Sequence, residues 1–233
     1  MVILLLFLVE EMVVYTGDVK DFTFGDGCIF VLHAREILKF DGKRWEVVAG
    51  FGGEESDVKN PVCVDYSDGV LYVLEPDRRL IKAYDRDGNF LKDYFLDAVV
   101  SPVSMCVGER IYLFDRTGMK CFSYDTTDGV VEFFDDIFKS PTGLAYQRGT
   151  VYVLDGDELK IFSEDGDFIQ SYTLRNGTSF AVVDKYQAIC DGRMVYLYQG
   201  YRIKERLPGQ KIKGKKSWLG VYDGEKIVIY RIK

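Results

Sequence analysis

Short runs of alternating apolar and polar residues, broken by Gly, Asp or Asn, recur along the whole chain. The clearest stretch begins at Pro61. Val62–Tyr66 reads as a strand, Ser67-Asp68-Gly69 as a turn and Val70–Leu74 as a second strand. Beyond the charged segment Glu75–Arg79, Leu80–Tyr84 alternates as a third strand, and Phe90–Phe95 follows the turn at Asp85–Asn89 as a fourth. Alternation with a period of two puts successive side chains on opposite faces of a sheet, and Asp-Gly turns tolerate the positive φ that tight hairpins need. The pattern predicts four antiparallel strands joined by tight turns.

The same pattern repeats. Pro61-Val-Cys-Val-Asp-Tyr-Ser-Asp-Gly-Val-Leu-Tyr-Val-Leu has counterparts in Pro102-Val-Ser-Met-Cys-Val-Gly-Glu-Arg-Ile-Tyr-Leu-Phe and Pro141-Thr-Gly-Leu-Ala-Tyr-Gln-Arg-Gly-Thr-Val-Tyr-Val-Leu. Aligned on the second strand, the anchors Ile29, Leu71, Ile111, Val151, Gln187 and Ile227 are spaced by 42, 40, 40, 36 and 40 residues. A period of this size signals a stacked array or a propeller. The fifth unit, with strands at Phe180–Asp184, Tyr186–Cys190, Met194–Gln199 and Tyr201–Leu207, keeps the strands and loses the rhythm. The chain ends after two strands of a sixth unit, Ser217–Tyr222 and Lys226–Ile232, and opens with two more, Val2–Val9 and Glu11–Tyr15. Two plus two completes a blade. The expectation is therefore an all-β, six-bladed β-propeller of four-stranded antiparallel blades, its last blade closed by N-terminal strands, a closure that removes free sheet edges. The units fall at 19–53, 54–97, 98–137, 138–175, 176–207, and 208–233 plus 1–15, as one domain over 1–233.

Two segments carry a family resemblance. Tyr72-Val-Leu-Glu-Pro-Asp-Arg-Arg-Leu-Ile-Lys-Ala-Tyr-Asp-Arg-Asp-Gly88-Asn-Phe-Leu, and Tyr152–Ile169 with its closing Asp165-Gly166-Asp-Phe-Ile, resemble NHL-type six-bladed propeller repeats over residues 61–175. The resemblance implies a fold and not a function, because such propellers include enzymes, RNA binders and protein-docking platforms.

Composition narrows the classes. The chain is 233 residues long with 47% hydrophobic and 15% aromatic residues, enough for a large core, and a net charge of −7 that argues against nucleic acid or an anionic membrane as the main partner. Charge is uneven: residues 201–233 hold 10 Lys and Arg against 3 Asp and Glu, a balance of +7, so residues 1–200 carry −14. Five cysteines, Cys28, Cys63, Cys106, Cys121 and Cys190, lie in apolar runs without a Cys-x-x-Cys pair, as buried thiols of a reducing, cytoplasmic setting would. The apolar N-terminus lacks a basic flank and is shorter than the ~20 residues of a membrane span, so no membrane association is expected. Charge-rich composition with only three Asn matches a thermophilic chain.

Candidate chemistry is sparse. Four residues after each anchor come His33, Glu75, Asp115, Asp155, Asp191 and Arg231, expected as a ring on one rim. Converging acids would gather a cation or a basic partner, whereas an Asp at such a position commonly caps the backbone of its own turn, the reading preferred here. His33 is the sole histidine, and no Gly-x-Ser-x-Gly or comparable nucleophile setting accompanies it, so no catalytic residues are assigned. Gly50-Phe51-Gly-Gly53 is followed by acids and by no helix, which excludes a phosphate cradle and leaves a mobile connector.

Three functions stay open. The first, and preferred, is a non-catalytic binding module that docks a protein partner on one face. Its contact candidates are Lys204, Arg206, Lys211, Lys213, Lys215, Lys216 and Trp218, in what reads as a basic loop, together with the acidic rim. The second is a lactonase-like hydrolase with calcium in the central channel; sugar-lactone hydrolases of similar architecture hold Ca²⁺ with Glu, Asn and Asp, and Asn60, Asn176, Glu75 and Asp155 are the weak candidates here. The third is RNA binding through the 204–216 stretch, flanked by Tyr201 and Trp218, against which the negative charge of the remaining chain stands.

Overall fold

A computed structural model describes residues 8–34, 36–50, 52–127, 129, 131–134, 138–200 and 202–232. The first strand, β1 (Leu8–Thr16), belongs to the last blade. Blade one comprises β2 (Asp21–Phe24), β3 (Ile29–His33), β4 (Glu36–Phe40) and β5 (Trp45–Gly50). Blade two comprises β6 (Cys63–Ser67), β7 (Val70–Glu75), β8 (Leu80–Asp85) and β9 (Phe90–Phe95). Blade three follows with β10 (Pro102–Val107), β11 (Ile111–Asp115), β12 (Lys120–Tyr124) and β13 (Val131–Phe133), and blade four with β14 (Pro141–Gln147), β15 (Thr150–Asp155), β16 (Glu158–Ser163) and β17 (Phe168–Thr173). Blade five is β18 (Ser179–Val183), β19 (Tyr186–Cys190), β20 (Met194–Gln199) and β21 (Arg202–Pro208). The chain ends with β22 (Lys211–Lys215), β23 (Trp218–Tyr222) and β24 (Lys226–Ile232).

The described residues form six four-stranded antiparallel sheets, and the sixth has the order β1-β24-β23-β22. The first strands β2, β6, β10, β14, β18 and β22 each contact the next, and β22 returns to β2. The molecule is a closed six-bladed β-propeller around a central channel.

Closure differs from the expected two-plus-two arrangement. Three C-terminal strands and one N-terminal strand make blade six, with β1 paired antiparallel to β24 from Leu8↔Ile232 to Thr16↔Lys226. Leu8–Thr16 is a single strand, so no break separates Val9 from Glu11; Val2–Phe7 of the expected first strand lies outside the described residues. The extra C-terminal strand is β22, the Lys211–Lys215 stretch that read as a basic loop. Gly214 made it look loop-like, but the glycine is there for packing: a Cβ would stand 2.3 Å from Val183 Cγ2 and 2.9 Å from the Val182 carbonyl oxygen on the neighbouring β18.

Packing follows from the blade geometry. Six buried clusters each draw on two adjacent blades; Phe30, Leu32, Ile37, Val64, Leu71 and Val73 fill the seam between blades one and two, for example. The seam between blades six and one holds Phe22, Phe24, Ile29, Ile227 and Ile229, flanked by half-buried Phe40, Trp45 and Trp218. A fully buried side chain of this kind contributes about 1.5–3 kcal/mol, so the ring is held by stacked sheet faces rather than by its turns.

Alternating strand direction gives the ring two unlike ends. Turns between the first and second strands lie at one end, here the turn face; turns between the second and third strands share the other end with the blade-to-blade connectors, here the connector face. Asp68-Gly69 (φ 49° and 83°) and Arg148-Gly149 (φ 51° and 73°) are hairpin turns with both residues left-handed, as the twist of the flanking strands requires. The connector from blade one to blade two, expected as a free loop, is tied down. Buried Lys82 donates to the Glu55 carbonyl (2.5 Å) and Asp93 (3.0 Å), and Tyr84 donates to the Ser56 carbonyl (2.6 Å). Phe51 lies outside the described residues.

Candidate functional site

The channel wall is built from the free edges of the first strands, whose alternate backbone groups have no ladder partner. On blades one, two and six, side chains fill that gap. Asp21 Oδ2 accepts from Val64 N (3.0 Å), and Asp65 accepts from Tyr66 N (2.9 Å), Val107 N (2.8 Å) and the Thr23 hydroxyl (2.9 Å). Lys213 Nζ donates to the Val64 carbonyl (3.2 Å) and pairs with Asp21 (3.2 Å). Lys215 Nζ donates to the carbonyls of Phe24 (3.0 Å) and Tyr66 (2.9 Å) and lies 4.7 Å from the centre of the Tyr66 ring. Two lysines of blade six thus reach both blade one and blade two. They tie the seam at which the ring closes.

These two ammonium groups differ electrostatically. Burial alone would lower the pKa of Lys213, but the Asp21 carboxylate overrides it and holds the group well above the ordinary lysine value. Burial dominates at Lys215 and pushes its pKa down, opposed by the Asp65 and Asp26 carboxylates.

At the turn face the channel widens into a cavity of about 700 Å³ whose walls run from blade two to blade six. Its two sides are unlike. Asp65, Lys213 and Lys215 form a charged wall, and Cys106, Leu144, Tyr146, Phe180 and Val182 form a largely apolar one. Exposed Asp68, Glu109, Arg148, Asp184 and Lys216, one from the first turn of each of these five blades, ring the opening. Arg148 and Asp184 pair across adjacent blades at 3.8 Å.

The expected polar ring lies at the connector face, at the ends of the second strands. Glu75 Oε1 accepts from Lys59 N (2.5 Å), Asp115 from the backbone of Val100 (2.7 Å), Ser101 (3.2 Å) and Thr117 (2.8 Å), and Asp155 from Lys139 N (2.9 Å) and Ser140 N (2.6 Å). All three are buried, and each fastens the connector that enters its own blade's first strand. Asp191 caps its own turn through Arg193 N (3.0 Å) and Met194 N (2.9 Å). His33 is half-buried, 3.9 Å from Glu36. Arg231 is not in the ring. Because β23 rather than β24 is the second strand, the equivalent anchor is Leu219 and the equivalent polar residue is Asp223, which caps Glu225 N and Lys226 N at 3.0 Å each. Arg231 instead pairs with Trp218 in the ladder, its guanidinium 5.6 Å from the indole centre.

The calcium candidates do not fit a shared ion. Glu75 and Asp155 sit in blades separated by a third, and their carboxylates are further engaged by Arg78 (3.0 Å) and Lys160 (3.2 Å). Asn60 donates to Asp77 (2.8 Å), and Asn176 is exposed. Among the described residues no group of three or more His, Cys, Asp or Glu side chains is placed to hold a metal.

The basic candidates also separate. Lys204 and Arg206 are exposed on β21, the outer strand of blade five, while Lys211, Lys213 and Lys215 lie on the innermost strand of blade six. Lys211 donates to the Lys20 carbonyl. Lys216 occupies the next turn, and Trp218 starts β23. A single basic loop over 204–216 does not exist, and Tyr201 lies outside the described residues. Sequence reasoning missed Asp21, Asp65 and Tyr66. Acids inside first strands, at Asp21 and Asp65, were the available signal, since a carboxylate in a buried strand needs donors.

The fold defines the class: a six-bladed β-propeller. Virginiamycin B lyase from Staphylococcus aureus is similar over 97% of this chain and 99% of its own, with a TM-score of 0.66 at 13% identity. The BBS1N protein, crystallised in complex with ARL6DN, matches 88% of this chain and 75% of its own (TM-score 0.61, 14% identity). The computationally designed Ika8 protein matches 92% and 71% (TM-score 0.60, 11% identity). At these identities the likeness is one of fold. No protein-family model and no curated protein matches the sequence. Among the described residues no helix is long and apolar enough to cross a membrane.

Proposed function

We propose that the protein is a non-catalytic binding module that docks a protein partner on its turn face. The observation that carries this reading is the 700 Å³ cavity at that end, ringed by exposed charged turns from five blades. A concave, half-apolar centre inside a polar rim is the anatomy of a protein interface. Charge gives the opening a direction: Asp68 and Glu109 stand on blades two and three, and Lys216 beside Lys215 on blade six. The complex between BBS1N and ARL6DN gives a precedent for a propeller of similar fold taking a protein partner. Reversing Asp68, Glu109 and Lys216 together, all exposed, is expected to abolish partner capture while leaving the fold intact. Capture that survives the reversal contradicts the reading.

The NHL resemblance remains part of the same proposal, resting on the repeats at Tyr72 and Tyr152. RNA binding loses its main support, because the lysines assigned to it are divided between the outer edge of one blade and the channel of the next.

A further inference from the structure

A second cavity, of about 360 Å³, lies in the seam between blades six and one, within the ~300–1,000 Å³ range of small-molecule sites. Phe24, Phe40 and Trp218 supply its apolar walls, and Asp26, Lys215 and Lys216 its charges. The aromatic walls are braced by neighbouring side chains. Phe40 stacks on Trp45 (centroids 4.9 Å apart, planes at 27°), and the Arg231 guanidinium covers the Trp218 ring at 5.6 Å.

Its charge is unbalanced. Asp26 is engaged by the Tyr66 hydroxyl at 3.2 Å, and burial, with Asp26 beside it, pushes the Tyr66 pKa up to about 12, so that hydroxyl stays a donor. Lys215 forms no ion pair among the described residues. Two of its three N–H donors go to backbone carbonyls and the third is left over. Lys216 is exposed at the lip, in a left-handed turn position (φ 55°). Two lysines thus line the cavity against one carboxylate that already accepts a hydrogen bond, beside aromatic walls. That combination selects a flat apolar body carrying one negative charge.

We propose that the seam cavity binds a small aromatic carboxylate, its ring among Phe24, Phe40 and Trp218 and its carboxylate on Lys215 and Lys216. The seam cavity shares Lys215 and Lys216 with the docking cavity, but its aromatic walls lie outside it, so hydrocinnamate binding and partner capture are separate readouts and either can fail without the other.

The test uses hydrocinnamate as the probe, with hydrocinnamyl alcohol as its uncharged counterpart, followed by calorimetry and by tryptophan fluorescence. The chain has two tryptophans, and Trp218→Phe leaves Trp45 as the reporter. Hydrocinnamate is expected to bind at one site per chain and to alter the emission. The alcohol and the Lys216→Asn variant are each expected to bind roughly tenfold more weakly, the worth of one charge-assisted hydrogen bond. Trp218→Phe is expected to remove most of the fluorescence change. Lys215 ties blades together, so Lys216→Asn, at a turn position that asparagine tolerates, keeps the test free of unfolding. Absence of hydrocinnamate binding, equal binding of the alcohol, or binding indifferent to both variants overturns the proposal.

Discussion

Lys213 of the last blade and Asp21 of the first form an ion pair, Nζ to Oδ2 at 3.2 Å, in the wall of the channel. Asp21 is almost fully buried and also accepts from Val64 N of the second blade, so one carboxylate joins three blades where the ring closes. Removing one partner of such a pair leaves the other desolvated. Lys213→Met is expected to cost roughly 3 kcal/mol in chemical denaturation, and combining it with Asp21→Asn to cost less than the sum of the two single changes. Because the Lys213 pKa is raised on folding, the stabilisation is fully present below the ordinary lysine value of 10.5 and fades only as pH climbs through the higher folded value. The gap between wild type and variant should therefore stay constant across neutral and mildly alkaline pH.

Gly214 makes an equally local prediction. A methyl group there meets the backbone of Val182 as well as the Val183 side chain, and backbone cannot swing aside. Gly214→Ala is expected to lower stability by about 1–3 kcal/mol in urea titrations. Gly50→Ala, where an added Cβ meets nothing within 4 Å, serves as the control and should be close to neutral.

The five cysteines are buried. Burial pushes the Cys63 thiol up to about 12 and holds Cys106 well above the ordinary thiol value, so little thiolate exists at neutral pH. A chromogenic thiol reagent should titrate none of the five in the native protein and all five after denaturation. Rapid native labelling of Cys63 or Cys106 would show that the channel wall opens.

Acid sensitivity should come from the turn caps. Backbone donation from Met194, with Arg193 and the Tyr196 hydroxyl adding to it, holds the Asp191 carboxyl below its ordinary 3.8, and the Asn89 side chain does the same for Asp85. A lowered folded pKa contributes stability above the unfolded value that is lost as pH falls through the folded one. Stability measured in urea should hold down to about the ordinary carboxylate range and drop beneath it, and the drop should be smaller in Asp191→Asn.

The repeat was readable because strand alternation and Asp-Gly turns are local signals: Asp68-Gly69 announces its hairpin without help from the rest of the ring. Blade six was misread because one of its strands, β22, carries a glycine and four lysines in and around it and reads as a loop. Gly220 in the middle of β23 is forced by the Phe22 ring, which a Cβ would approach to 2.4 Å, and Gly214 is forced by blade five. With β22 missed, Ser217–Tyr222 counted as the first strand of the blade and Lys226–Ile232 as the second, which moved the ring position from Asp223 to Arg231. The lysines of β22 looked solvated because sequence cannot show that their amines reach carbonyls two blades away. The channel site was hidden for the same reason: Asp21, Asp65 and Lys213 lie far apart in the chain and meet only when the ring closes.

The docking face is tested most directly by site-specific photo-crosslinking in the native source, with a photoreactive residue placed singly at Glu109 or Arg148 on the turn face and at Val62 or Val100 on the connector face. All four positions are exposed, and Val62 (41%) and Val100 (61%) offer apolar surface that a partner on the other side would use. One protein is expected to be crosslinked from Glu109 and Arg148 and none from Val62 or Val100. The same partner crosslinked from the connector face alone, or no partner from any position at native abundance, would contradict it.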